Sequence, residues 1–491
     1  MKPITKTLLL LALNLTILIP LSLFAQSSGY SKEVQDRILK VEQSLAGTVV
    51  VEGDSLWTLN QRMQYHQIPA LSIAVVKDFK IDWAKAYGYA DVAEKRIASP
   101  TTRFQAASIS KSLNAMAMLK LVQDKKIDLY ADINTYLSSW KFPYDSLSKN
   151  KKISLANLLS HTAGLTVHGF GGYKQGDKIP SVIEVLNGTA PANSAAVRSN
   201  AEPGIKSVYS GGGTTISQLI AMDISKKPYQ DFALQTVLKP LGMNHSFYYQ
   251  HPSLGQAKDL ATAYRADGNA VPGKYHSYPE MAAAALWTTP TDLAKFIIET
   301  QLSLQGKSNK VLSQETTRLM LTPYIDRQAA LGVFVQKLGE QNYFSHGGAN
   351  EGFRCQYFGS MDGGNGVIVM VNSDNGAIMQ EIINSVATVY QWNGFYKPQV
   401  KKLVAVPDNI SSAYVGKYEI SPGFILTITK EGGQLKAQAT GQGKLDLYPE
   451  AENKYFVKVA PIGLEFIKNA SGVVESLVIH QNGAKIPAKK I

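Results

Sequence analysis

Ser108 and Lys111 stand three residues apart in FQAASISKSLNAMAML (Phe104 to Leu119), a stretch otherwise rich in helix-favouring residues. Positions i and i+3 share one face of a helix, which brings the lysine amine within reach of the serine hydroxyl. A serine hydroxyl is a weak nucleophile near neutral pH; it needs a group to take its proton and donors to hold the oxyanion that forms. At a helix N-terminus the free amides and the helix dipole favour that negative charge. A lysine serves as a base only where burial or a neighbouring cation lowers its pKa. Ser110 falls on another side of the helix and is the weaker nucleophile candidate. S-x-x-K is short and arises often by chance, so the remaining sequence has to decide.

Further strings suit the same cleft. PGIKSVYSGGGTTISQLI (Pro203 to Ile220) puts Tyr209 just ahead of a glycine turn and a helix, where a phenol can point into a cleft. YFSHGGANEGFRCQY (Tyr343 to Tyr357) puts His346, Gly347 and Gly348 on a strand whose missing side chains let a substrate backbone approach. With KISLANLLSHTAGL (Lys152 to Leu165) between the Ser108 motif and Tyr209, these motifs in this order resemble the serine β-lactamase and penicillin-binding-protein superfamily, in its class C-like branch. That branch also holds DD-carboxypeptidases, D-aminopeptidases and carboxylesterases.

The resemblance covers about Val51 to Trp392. It implies Ser108 as the acylated nucleophile, with Lys111 and Tyr209 sharing the base and proton-shuttle work. It implies the amides of Ser108 and Ala349 as oxyanion donors, His346-Gly347-Gly348 on the strand lining the substrate site, and no cofactor. His161 reads as structural. Two departures weaken a β-lactam reading. Gly211 stands where the family usually carries an asparagine that contacts the substrate's acylamide. His346 stands where efficient β-lactamases usually have a lysine, whose permanent charge meets the substrate carboxylate. The expectation is an exported serine hydrolase that forms an acyl-enzyme with D-amino-acid peptides, esters or related acyl compounds. A class C-like β-lactamase is the alternative that shares its catalytic residues. A silent relative that binds cell-wall peptides is another, but it would not need an intact serine, lysine and tyrosine.

The elements that must position these residues follow from periodicity. Ser31 to Leu45 reads as a helix, while Ala70 to Val76 and Lys80 to Gly88 read as an antiparallel hairpin. Strands return at Ala330 to Leu338, Phe353 to Met361 and Gly366 to Asn372, followed by an amphipathic helix over Ile378 to Trp392. The fold class expected is α/β (α+β): an antiparallel sheet built from both chain ends, flanked by helices, with an all-α insert. Tyr396 to Asn409 has prolines and no period, and reads as a linker. Beyond it, short alternating runs separated by Glu431-Gly432-Gly433, Ser471-Gly472 and Asn482-Gly483 predict a small antiparallel barrel or sandwich. Those strands resemble lipocalin-like modules appended to some relatives. The division expected is residues 1–25 as a signal peptide, 26–400 as the hydrolase domain and 401–491 as the β domain.

The N-terminus carries Lys2 and Lys6, an apolar run from Leu8 to Phe24, and Ala25 before a polar shift, the layout of a secretory signal peptide. The expected location is therefore periplasmic or extracellular, with no membrane span in the mature chain. One cysteine, Cys355, forms no intramolecular disulfide and excludes multi-cysteine metal sites. The eight histidines include no H-E-x-x-H. The formal charge of +12 is spread along the chain without a basic cluster interleaved with aromatics, so the partner expected is a small molecule or peptide rather than nucleic acid. An α/β-hydrolase elbow is excluded, since Val208 precedes Ser210 where G-x-S-x-G would need glycine. Gly211-Gly212-Gly213 is not a phosphate loop, because no G-K-[ST] follows.

Overall fold

A computed structural model describes residues 29–250, 257–481 and 483–491; the expected signal peptide, residues 1–25, lies outside them. The central sheet has seven antiparallel strands, in the order Arg96–Ile97, Lys80–Asp91, Ala70–Lys77, Gly366–Val371, Phe353–Ser360, Gln341–Asn350 and Phe334–Leu338. Early and late segments of the chain thus join in one sheet, as expected, where Ala70–Lys77 pairs with Gly366–Val371. The two middle strands, ALSIAVVK and GVIVMV, are almost continuously apolar because both of their faces are covered. On one face, helices Lys32–Gln43 and Ala377–Val389 bury Ile38, Val41, Ile378, Ile382 and Val386 against Trp83, Val75 and Val369. On the other, helices Ser110–Gln123 and Pro290–Leu304 and the helical insert pack against Ala70, Ala74, Phe344 and Tyr357. Among the described residues, no helix is long and apolar enough to cross a membrane.

The C-terminal strands form one nine-stranded antiparallel sheet around Tyr414, Tyr418, Tyr455, Phe466 and Leu477. Its two edge strands are Leu445–Asp446 and Tyr448–Pro449, which are neighbours in sequence, so the sheet curls into a nearly closed barrel. The Tyr396–Asn409 segment is not a plain linker. Gln399–Lys401 is a strand that pairs in parallel with Val49–Val51, and Asp408–Ala413 is a helix. The expected boundary at 400 therefore falls inside a strand. Three residues give too short a run for a visible period, and the partner lies about 350 positions away, so local pattern could not disclose the pairing. Phe456 of the β domain packs on Val49 and Val51 and seals the junction.

Candidate active site

Ser108 lies in a single 3-10 turn, Ala107–Ile109, and the helix proper begins only at Ser110. The turn is entered through Ala107 at φ +47°, a left-handed conformation that costs a non-glycine residue of order 1–3 kcal/mol. Neighbours hold it there. The Ala106 amide donates to the Leu286 carbonyl at 2.8 Å. The Ala106 carbonyl accepts from the Ile109 amide at 2.9 Å and from the Cys355 thiol at 3.0 Å. The result leaves Ser108 half-buried at the cleft, while Ser110 is fully buried with its Oγ accepting the Leu286 amide at 3.0 Å. One serine is offered to the cleft and the other is consumed by packing.

Lys111 is 4% exposed, and its Nζ donates to the Ala283 carbonyl at 2.8 Å and to Ser108 Oγ at 3.1 Å. Ala283 belongs to the short helix Met281–Ala284, so the insert supplies the second anchor of the amine. The Tyr209 ring lies beside the same amine, its centroid 5.0 Å from Nζ. Tyr209 in turn belongs to an aromatic cluster: its ring centroid is 4.3 Å from His161 and 6.3 Å from His346, and Phe334 lies 5.3 Å from His346.

Both imidazoles are neutral at pH 7. Burial, and then the neighbouring Lys111, holds His161 well below the usual histidine range. Its Nδ1 accepts the Ser210 amide at 3.2 Å, which leaves the ring proton on Nε2. Burial and then Lys111 push His346 down to about 4. Its Nδ1 donates to the Gly347 carbonyl at 2.6 Å, and its buried Nε2 is left without a partner. His346 therefore differs from a lysine at this place in charge as well as in shape: the ring is 3% exposed and neutral, tilted against Tyr209 and Phe334.

The glycines of strand Gln341–Asn350 also have a packing reason. A Cβ on Gly348 would stand 2.4 Å from the Ala106 carbonyl and 2.5 Å from Cys355 Sγ, so this glycine lets the strand close on the nucleophile turn. A Cβ on Gly347 would meet the Gln356 amide at 2.8 Å. Ala349, next along, is exposed at the cleft edge. Cys355 is a buried thiol whose pKa burial pushes up, not a nucleophile.

A beta-lactamase family model matches residues 58–387 of this chain. The chain belongs to the beta-lactamase family. A second model, a domain of unknown function (DUF3471), matches residues 400–489. Among the relatives, Protein flp of Staphylococcus aureus is 28% identical over 267 residues, 53% of this chain and 50% of that protein. The match thus spans about half the length of that relative. Penicillin-binding protein 4* of Bacillus subtilis is 23% identical over 452 residues, 87% of this chain and 95% of that protein. An octameric penicillin-binding protein homologue from Pyrococcus abyssi shares the fold at a TM-score of 0.60 and 19% identity, covering 88% of this chain and 98% of its own. A structure of SurE with D-Leu superposes at a TM-score of 0.54 and 19% identity, covering 88% of this chain and 97% of that one.

Sequence reasoning missed four contributors to this beta-lactamase-family cleft. Phe334 closes the histidine cluster, and the Ala283 carbonyl anchors Lys111. His168 Nδ1 lies 2.5 Å from the Tyr209 carbonyl and orients the phenol's backbone. Glu280, just before the helix that carries Ala283, is 0% exposed and neither carboxyl oxygen has a partner; burial pushes it up to about 7. The buried carboxylates Asp91, Asp292, Glu299 and Glu381 all have partners: Lys274 and Thr262, Lys295, Ser308, and Arg62 respectively. The signal for Glu280 was present as one acid in the apolar run PEMAAAAL.

Proposed function

We propose that this protein is an exported serine hydrolase that acts through an acyl-enzyme on Ser108, with D-amino-acid peptides, esters or related small acyl compounds as substrates. The observation that carries the reading is the contact of Lys111 Nζ with Ser108 Oγ at 3.1 Å, the amine being held by Ala283 and bordered by Tyr209. In the acylation step Ser108 Oγ loses its proton to the Lys111–Tyr209 pair and bonds to the substrate carbonyl carbon. The amides of Ser108 and Ala349 hold the oxyanion while the leaving group departs with a proton returned by the same pair. Water then repeats the sequence and releases the acid.

Two observations favour D-amino-acid derivatives and esters over β-lactams. His346 supplies no charge for a β-lactam carboxylate. The fold is shared with a protein whose structure was determined with D-Leu. Export rests on the N-terminal pattern Met1 to Ala25, and a hydrolase domain ending near residue 400 rests on the change of strand pattern there.

Intact-protein mass spectrometry tests the reading after exposure to a D-alanyl peptide, a nitrophenyl ester and nitrocefin. The expected result is an acyl adduct from the first two in the wild type and none in Ser108→Ala. An adduct on the Ser108→Ala protein would assign the nucleophile elsewhere.

A further inference from the structure

The segment Val167–Gly172 crosses the first turn of helix Gly211–Ser225 and is pinned at both ends. The Gly212 amide donates to the Val167 carbonyl at 3.0 Å, and His168 Nδ1 meets the Tyr209 carbonyl. At the far end, His276 Nδ1 meets the Gly171 carbonyl at 2.9 Å and Asn193 Nδ2 donates to the Gly172 carbonyl at 2.9 Å. Between these anchors stands Phe170, half-buried, flanked by Gly169 and Gly171, which have nothing within 4 Å of a built Cβ. A Cβ on Gly211 would lie 2.8 Å from Phe170 Cε2 and 3.4 Å from Cδ2. The phenyl ring therefore occupies the space that a side chain at 211 would fill, two residues from Tyr209. Gly211 is at the first position of its helix and its φ is not left-handed, so its lack of a side chain is explained by the ring and not by backbone conformation.

We infer that Phe170 and Gly211 act as one unit, an aromatic wall beside Tyr209 that selects substrates with an apolar, preferably aromatic, acyl group. The inference rests on the acyl-enzyme reading and names the substrate class within it. The acyl group is the part retained on Ser108 through both chemical steps, so a fixed wall contributes most to it. The leaving-group side must open to admit water. An aromatic acyl group gains buried apolar area and an edge-to-face contact from the ring, whereas an acetyl group is too short to use either.

The test is the ratio of kcat/KM for the phenylacetyl and acetyl esters of 4-nitrophenol, measured in wild type, Phe170→Ala, Gly211→Ala and the double variant. Both substrates are read in the same preparation, so the ratio does not depend on the folded fraction. Wild type should favour phenylacetyl, and Phe170→Ala should lower that ratio by roughly tenfold. Gly211→Ala should lower it similarly, because the new methyl displaces the ring. The double variant should fall no further than the lower single variant, since the two changes remove one contact. A ratio unchanged within twofold in Phe170→Ala, or additive losses in the double variant, overturns the inference while leaving the acyl-enzyme intact. Absence of a Ser108 adduct from either ester in wild type overturns the functional reading itself.

Discussion

Between Val49 and Trp392 the chain buries Arg62, Lys111, His161, Glu280, Asp292, His346 and Glu381, whereas among the described residues after 400 the buried polar set is Ser411 alone. Both regions enclose well-packed aromatic cores, so packing does not separate them. What separates them is the cost each accepts. A buried ionisable group loses hydration that only partners or a neutral state can offset, and folds retain such groups mainly where chemistry uses them. The first region offsets the cost with specific contacts: Arg62 with Glu381, Lys111 with Ala283, and neutral rings at 161 and 346. The β domain avoids the cost, with charges kept on the outside as pairs such as Lys436–Asp446 and Lys468–Glu452. Buried ionisable groups are thus concentrated in one region, and the other contributes a covered junction.

The largest test of that contrast is Ser108→Ala. Turnover of a nitrophenyl ester should fall by roughly 10^4-fold or more while the denaturation midpoint is unchanged, because the half-buried hydroxyl is the proposed nucleophile and contributes little packing. Phe456→Ala probes the opposite behaviour. It removes the ring that covers Val49 and Val51 and should cost about 3 kcal/mol in urea unfolding, with kcat of the folded protein retained. A fall in kcat at full folding would show that the junction also shapes the cleft.

Glu280→Gln sharpens the account of the buried charge. The folded-state pKa of about 7 lies above the ordinary 4.5, so the unfolded chain releases this proton first. Stability from this residue is intact below about pH 4.5 and is lost as pH rises through about 7, to a total of about 3 kcal/mol. The glutamine variant should therefore match wild type at pH 4.5 and exceed it by up to that amount at pH 8.5. Parallel stability curves for the two proteins would mean that Glu280 finds a partner. The smallest effect is expected at Ser110→Ala, which leaves the buried Leu286 amide without its acceptor. It should cost about 1–3 kcal/mol in stability and less than tenfold in kcat/KM, separating the two serines of the same motif.

Several features were legible before any tertiary contact was known. Ser108 and Lys111 meet because i and i+3 are adjacent in any helical turn, and the hairpin Ala70–Lys77 with Lys80–Asp91 follows from two apolar runs joined by a two-residue turn. The helix Ala377–Val389 follows from its apolar face. These are local relations, complete within a dozen residues. The strand run near 330 was less legible: it was expected from Ala330 but begins at Phe334, because Ala330 to Val333 close a turn in which the Ala330 amide donates to the Val333 carbonyl at 3.0 Å.

The sequence by itself determined which groups are candidates for chemistry and, for most of them, the kind of element that carries each one. Tertiary structure alone decided their states. Lys111 acquires its anchor from Ala283, 172 positions away, and His161 and His346 stay neutral below the usual histidine range because strand and insert enclose them around Tyr209. Gly348 and Cys355 acquire their roles from the approach of two paired strands to a strained turn, and Phe170 from the empty face of Gly211. The physical reason is one of range. Propensity and periodicity act through the nearest turns of the chain, whereas desolvation, steric exclusion and the placement of a partner dipole depend on segments that meet only after folding.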